Sequence, residues 1–249
     1  MKKTLVVCIL ALAITASWSS AGVRRFTFIY EAPTSAPGSF EFENWLTWKR
    51  TTDPEDSDTF QFRHEIEYGV TNRLQASFYF ADWEHESTPH DSGTVFEDVA
   101  LELIYNLSNP VTAPVGISLY QEYKAGYHLF EWESKFIAQK NLGRWILAYN
   151  ATLEAAWEGE ELAETEGEFI QAIGASYEIS PRLSVGLEML HEMVFPDWHD
   201  HETIRNFFIG PNASYRQGNW FVTVTALAQA TSTSDEADFQ LRTIFGIGL

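Results

Sequence analysis

The C-terminal stretch 237-ADFQLRTIFGIGL-249 indicates a β-strand with one apolar and one polar side. Its apolar parity consists of Phe239, Leu241, Thr243, Phe245, Ile247 and Leu249. Its other parity consists of Asp238, Gln240, Arg242, Gly246 and Gly248, with Ile244 as the one exception. Successive side chains of a strand point to opposite faces, so this stretch predicts a strand between an apolar and a polar environment.

The N-terminus has the pattern of an export signal. Lys2 and Lys3 precede an apolar run from Leu5 to Ala16, and Ser19-Ser20-Ala21 forms a small-residue cleavage site. The pattern predicts Sec-type export and cleavage after Ala21, which makes residues 1–21 a signal peptide. The single cysteine, Cys8, lies within this segment, so the mature chain is expected to have no disulfide.

Composition and the distribution of apolar residues exclude three classes of protein. The chain has 249 residues and a formal net charge of −19, which would repel nucleic-acid phosphates. Hydrophobic residues make up 45% of the chain, which is too many for a disordered acidic tail. No apolar stretch of membrane-spanning length follows the signal peptide, which excludes a helical membrane protein.

The rest of the chain contains about twelve strand candidates with period-2 alternation. We predict strands at 38–50, 59–70, 73–84, 95–107, 113–125, 128–140, 143–157, 167–179, 182–194, 203–216, 218–230 and 237–249. They form one predicted domain, 38–249. Residues 22–37 precede it as an N-terminal lead or plug, whose Arg24 and Arg25 are expected to dock against acidic residues and to favour a closed state.

The connections alternate in length. Tight turns such as Asn141-Leu142-Gly143 follow most even-numbered strands, and longer acidic loops follow most odd-numbered ones. This asymmetry is typical of outer-membrane barrels, whose short turns are periplasmic and whose longer loops are extracellular. A soluble β-barrel or sandwich also alternates, but tryptophans near both predicted rims favour two membrane interfaces. We therefore predict an all-β fold: a single antiparallel transmembrane β-barrel of about twelve strands.

Three features carry a resemblance to a known group of proteins: the strand start 37-PGSFEFENW-45, the difference between turns and loops, and the final strand. In these the mature chain resembles the Gram-negative, transporter-like outer-membrane barrels grouped with phenol-degradation operons. The resemblance implies a bacterial outer-membrane location and assembly by the barrel-insertion machinery. Such barrels usually end in an aromatic residue, whereas this chain ends in Leu249.

Charged residues on the polar parity are the candidate lumen-lining residues. The acids are Glu41, Glu43, Glu65, Glu67, Asp98, Glu102, Glu122, Glu131, Glu133, Glu154, Glu188 and Glu192. The bases are Lys49, Arg63, Lys124, Lys135, Arg205 and Arg242. Two interpretations remain open. Either these groups pair and fill a narrow barrel, or their acidic excess attracts cations in a conducting pore.

The predicted function is a passive, cation-preferring channel or transporter-like pore for small cationic or neutral solutes. The alternative is a closed barrel with a structural role, whose acidic loops bind divalent cations and lipopolysaccharide. Outer-membrane lipids and lipopolysaccharide are the expected surroundings, and no nucleic acid, cofactor or enzymatic activity is expected.

Two weaker patterns concern enzymes and metals. Asn44 opposite His64 suits the base and its orienting residue in an outer-membrane lipid hydrolase, the second alternative, but no serine nucleophile lies beside them. His199, Asp200 and His201 are weak candidates for a metal site, since the loop fixes no third ligand at a set spacing. We therefore predict neither catalytic residues nor a metal.

Overall fold

The computed structural model describes residues 22, 24–199, 202–234 and 236–249. The predicted signal peptide lies outside these residues. Among the described residues, no helix is both long and apolar enough to cross a membrane. The structure is all-β, and its one helical element is a short 3-10 turn, Glu160–Leu162.

The described residues form thirteen strands whose positions follow the predicted alternation closely. They are β1 (Phe40–Thr51), β2 (Ser57–Gly69), β3 (Leu74–Ser87), β4 (Ser92–Phe96), β5 (Asp98–Ser108), β6 (Gly116–Gly126), β7 (Leu129–Leu142), β8 (Trp145–Glu158), β9 (Glu164–Ser180), β10 (Leu183–Phe195), β11 (Ile204–Gln217), β12 (Trp220–Gln229) and β13 (Phe239–Gly248).

These strands close into an antiparallel barrel with twelve positions. Strands adjacent in sequence pair with each other except β4 and β5, and β1 pairs with β13 from Glu41↔Gly248 to Arg50↔Phe239. Strands β4 and β5 share one position, because β3 pairs with β4 at its outer end and with β5 at its other end. The pairings close the sheet into a barrel, which confirms the predicted fold class.

The two rims of the barrel differ in their connections. At the rim expected to be periplasmic, three turns contain two residues each, 143–144, 181–182 and 218–219. Gly143 and Gly218 adopt positive φ angles of 61° and 64°, as two-residue hairpin turns require. At the other rim, here called the outer rim, the strands extend beyond several predicted ends. The longest connections there are 196–203 and 230–238.

The N-terminal residues 24–37 lie inside the barrel as a non-strand segment, here called the lumen segment. Phe26 and Ile29 are fully buried against inward-facing apolar side chains of the wall. The members of this wall cluster are Ile146, Ala148, Ala172, Leu190, Phe208 and Leu227. Ile244, the exception in the final strand, packs inside against Trp45 and Phe221, with Tyr30 of the lumen segment beside them.

Candidate functional site

Most of the predicted lumen-lining residues lie on the inward face of the wall. The buried ones are Glu41, Glu43, Glu65, Glu67, Asp98, Glu102, Glu122, Glu133 and Glu188. Those with partial exposure are Lys49, Arg63, Lys124, Glu131, Lys135, Glu154, Glu192 and Arg242. A single wall therefore collects charges from strands far apart in the sequence.

The prediction that Arg205 lines the lumen is wrong. In β11 the buried parity contains Asn206 and Phe208, and Arg205 belongs to the opposite, exposed parity. It lies next to the outer end of the strand, where a long basic side chain can extend its charge toward the interface. Arg205 therefore does not line the lumen.

The lumen segment is held through its backbone amides, and the acceptors are side chains of the wall. Glu188 accepts hydrogen bonds from the amides of Thr27 and Phe28 at 3.0 and 2.8 Å. Asn150 accepts one from Tyr30 N at 2.6 Å, and its own amide group donates to the Tyr30 carbonyl oxygen. Further along the segment, Gln139 accepts from Ala32 N and Gln75 accepts from Ser35 N. These bonds satisfy buried backbone groups without adding the segment to the sheet.

The two arginines of the lumen segment contact carboxylates. Arg24 forms an ion pair with Glu43 at 3.0 Å, and its guanidinium lies 4.3 Å from the ring centroid of Trp45. Arg25 bridges Glu31 and Glu178, with both nitrogen–oxygen distances at 2.6 Å. Glu178 lies on the wall, so each arginine ties the segment to a strand.

Tyr30 lies at the centre of the lumen segment and connects several strands. Its hydroxyl donates to Glu102 at 3.0 Å and lies 3.1 Å from the hydroxyl of Tyr79. Glu102 also accepts hydrogen bonds from Ser77 and Tyr79. The side chain of Glu102 is therefore fixed by contacts on β3 and on the lumen segment.

Other charges are paired within the wall, on the outer side of the lumen segment. Arg63 contacts both Asp82 and Glu122, the latter at 2.8 Å. Lys124 pairs with Glu131, and Lys135 pairs with Glu133 at 2.7 Å.

These ion pairs also bear on metal binding. Glu131, Glu133 and Glu154 can bring one oxygen each to within 4.8 Å of one another, as metal ligands do. The two lysines already neutralise two of these three carboxylates, so the cluster has little charge left for a metal ion.

Glu65 has a different environment. Its side chain is fully buried, and neither carboxylate oxygen has a hydrogen-bond partner among the described residues. A buried carboxylate without a partner is costly, so this position marks the least well satisfied part of the wall.

Three cavities follow one another along the barrel. The outer vestibule, about 410 Å³, is lined by Glu55, Glu84, Glu86, Glu236 and Lys49 among others. The outer cavity, about 350 Å³, lies against the lumen segment at Phe28 and Tyr30. The inner cavity, about 290 Å³, lies on the other side of the segment and includes Gly22, Glu41 and Glu67. The lumen segment thus separates an outer from an inner compartment.

Several site residues were not identified from the sequence. Asp82 faces inward because the β2–β3 register shifts between His64 and Glu65, and such a shift changes the parity of β3. Glu168 and the aromatic residues Trp45 and Tyr120 also line the outer cavity. Trp45 does carry a sequence signal, since it is an aromatic residue within the otherwise polar parity of β1.

The predicted pair of Asn44 and His64 forms on the outer surface of the barrel. His64 Nδ1 lies 2.7 Å from Asn44 Oδ1, and Trp83 Nε1 donates to His64 Nε2 at 3.3 Å. The Trp83 contact occupies the nitrogen that a catalytic base would use on a nucleophile. Gln171 and His191 form a similar, longer contact at 3.4 Å. In both pairs the histidine has a hydrogen-bond partner on the outer surface of the barrel.

The weak metal candidates lie partly outside the described residues, because Asp200 and His201 are not among them. His199 is exposed and donates its backbone amide to Asp197 at 2.8 Å, and its Nδ1 lies 3.1 Å from the same carboxylate oxygen. These hydrogen bonds lower the pKa of Asp197 below its usual range. Through these contacts with Asp197, His199 orders its own loop.

Comparison with solved structures finds the same fold in outer-membrane proteins. The COG4313 outer membrane channel from Pseudomonas putida F1 has a TM-score of 0.73 at 10% identity, over 88% of this chain and 98% of that one. The β domain of the Bordetella autotransporter BrkA has a TM-score of 0.62 at 9% identity, over 86% and 100%. The NanC porin has a TM-score of 0.54 at 8% identity, over 84% and 98%. At these identities the likeness shows the fold alone.

Sequence comparison gives a narrower result. No curated protein has a matching sequence. One family model, described as a family of unknown function (DUF6662), matches residues 19–242, which is most of the chain. The chain therefore belongs to the DUF6662 family.

Proposed function

We propose that this protein is a passive outer-membrane channel for small solutes, closed at rest by its lumen segment. The observation that carries the proposal is that the segment is bound to the wall through side-chain acceptors such as Glu188 and Asn150. A segment held in this way can leave the lumen without breaking a strand pairing. Two proteins that share the fold are named as an outer membrane channel (COG4313) and a porin (NanC).

The energetics favour a segment that is bound but removable. Water entering the lumen can replace the hydrogen bonds that the segment makes to the wall, so each bond contributes only about 1 kcal/mol net. Burial of Phe26 and Ile29 adds about 1.5–3 kcal/mol for each side chain. The conformational freedom that the segment regains on release, about 1–2 kcal/mol for each ordered residue, offsets these contributions.

The charges support a preference for cations. The outer vestibule contains Glu55, Glu84, Glu86 and Glu236 but only one base, Lys49. In the outer cavity, Glu154, Glu168 and Glu192 have no ion pair among the described residues. An acidic entrance with low-dielectric walls concentrates cations and repels anions.

Conductance of the folded mature protein in planar bilayers, under a salt gradient, tests the proposal. We expect brief cation-selective openings for the wild-type protein and long openings for a variant that begins at residue 36. Silent insertion of both proteins would overturn the channel. That result would favour the closed barrel, with the acidic outer loops binding divalent cations and lipopolysaccharide.

A further inference from the structure

The outer cavity separates its unpaired charges by sign. Its volume of about 350 Å³ lies within the range of small-molecule sites. Arg63, Lys124 and Lys135 are each paired with a wall carboxylate, so they contribute little net charge. The charged groups that remain are basic ones on β1 and β13, acidic ones on β8 to β10, and Glu236 on the connection between β12 and β13.

The basic part is formed by Arg242 on β13 and Lys49 on β1. Arg242 Nε donates to Thr47 at 2.9 Å, and its guanidinium lies 3.9 Å from the ring centroid of Phe28. These two contacts orient the group, and its two Nη nitrogens have no hydrogen-bond partner among the described residues. Lys49 pairs in register with Gln240, next to Arg242 on the same face, and has no ion pair in the described chain.

The acidic part is formed by three strands, β8 to β10. Glu154 and Glu168 are directly opposite each other in the β8–β9 register, and Glu192 is opposite Ile170 in the β9–β10 register. Like charges directly opposite one another destabilise a sheet. None of the three carboxylates makes an ion pair or a hydrogen bond with a described residue. A cation in the cavity would relieve this repulsion.

Apolar side chains also line the cavity. Ile170, Leu190 and Val194 lie on the wall, and Phe28 and Tyr30 belong to the lumen segment. The cavity also shares Lys49, Glu236 and Gln240 with the outer vestibule, so a solute entering from outside reaches it. This arrangement suits a ligand with two opposite charges and an apolar middle.

We propose that the outer cavity binds a small zwitterion, with its anionic group on Arg242 and Lys49 and its cationic nitrogen at Glu154, Glu168 and Glu192. The role of this site in transport rests on the proposed channel function. A solute bound in the outer cavity lies on the outer side of the lumen segment, which it has to pass. The excess of acidic groups favours cations among simple ions. The separation of basic from acidic groups favours an organic solute that carries both charges.

Calorimetry on the folded protein in detergent micelles tests the site with three probes of equal chain length. These are 6-aminohexanoate, a zwitterion, and its doubly charged analogues adipate and 1,6-diaminohexane. We expect 6-aminohexanoate to bind at least about tenfold more tightly than either analogue, since each analogue leaves one charged part of the wall without a partner. Binding of either analogue as tightly as 6-aminohexanoate would overturn the proposal.

Substitutions test which charged part of the wall binds which end of the zwitterion. R242Q should weaken binding of 6-aminohexanoate about tenfold and move the preference toward the diamine, whereas R242K should keep the preference for the zwitterion. E168Q should weaken binding of the zwitterion and move the preference toward adipate. R50Q is the matched control, because Arg50 pairs with Asp56 and Asp58 at the outer rim and does not line the cavity. An unchanged preference order in R242Q would overturn the assignment.

Calorimetry and conductance together distinguish this inference from the proposed channel function. Selective binding of 6-aminohexanoate by a protein that never conducts would support the site and overturn the channel. Conductance by a protein that shows no preference among the three probes would support the channel and overturn the site.

Discussion

Gly174 on β9 is complementary to Phe26 of the lumen segment. A Cβ atom at Gly174 would lie 2.6 Å from the Phe26 ring and 2.7 Å from Ile29 Cδ1. Carbon atoms do not approach that closely, so the segment occupies the space that any larger residue at position 174 would need. The absence of a side chain at Gly174 therefore allows the segment to dock.

The first prediction follows directly from this contact. G174V should displace Phe26 and Ile29 and so destabilise the docked segment. Losing the burial of one such side chain shifts the open-to-closed ratio by roughly 10- to 100-fold, which single-channel recording measures as open probability.

A second substitution controls for general damage to the wall. Adding F26A to G174V removes the clash with the Phe26 ring, whose burial G174V already disrupts, and should not increase the open probability further. G93A, where a Cβ meets nothing within 4 Å, should behave as wild type. Unchanged gating in G174V would show that the lumen segment does not close the pore.

The second prediction concerns the N-terminus created by signal cleavage. The nitrogen of Gly22 lies 2.6 Å from Glu41 Oε2. With cleavage after Ala21, that nitrogen becomes a charged ammonium and the contact becomes an ion pair, which is stronger than a neutral hydrogen bond. A mature protein extended by two alanines before Gly22 should open more often than the native one.

The test for this contact is a comparison of four proteins by open probability: native, extended, E41Q, and extended with E41Q. The extension and E41Q remove the same contact, so together they should have little more effect than either one. Fully additive effects would contradict the ion pair. Mass spectrometry of the exported protein checks the mature N-terminus independently.

The third prediction concerns stability. R63Q leaves the carboxylates of Asp82 and Glu122 in the wall without their cation. Removing one partner of a buried pair costs about 3–5 kcal/mol, and we expect about 3 kcal/mol because 24% of the Arg63 side chain is exposed.

R50Q supplies the comparison, because Arg50 forms its ion pairs at the outer rim with side chains that are at least one-third exposed. Its cost should be about 1 kcal/mol or less. Denaturant unfolding followed by tryptophan fluorescence measures both free energies. Equal losses in the two variants would mean that the Arg63 pairs are as well solvated as those of the rim.

The fourth prediction concerns ion selectivity. Glu168 has no ion-pair partner among the described residues, whereas Glu133 pairs with Lys135. E168Q should therefore reduce the preference for cations more than E133Q/K135Q, which removes a neutral ion pair and leaves the net charge unchanged. The reversal potential under a salt gradient measures the difference. A larger effect of E133Q/K135Q would place the selective region at the paired carboxylates.

The alternation in the sequence was sufficient to predict the barrel and most of its lumen. In the 13-residue stretch that contains β13, the parity indicates which side chains face inward, and Arg242 lies where that parity places it. The signal is strong because strand geometry alternates at every residue, and an apolar exterior enforces the alternation along the whole strand. Arg205 shows its limit, since near a strand end the exterior is polar and accepts a charge.

The tertiary structure decided what fills the lumen. Residues 22–37 have no periodicity, and their acceptors Gln75, Gln139, Asn150 and Glu188 come from four strands that only barrel closure brings together. The register shift beside Glu65 likewise places Asp82 inside, which no alternation predicts. Alternation is a local property of the chain, so the sequence alone determined the strands and their two faces. Contacts across the lumen depend on register and closure, so only the tertiary structure determined the plugged interior and the separation of charge in the outer cavity.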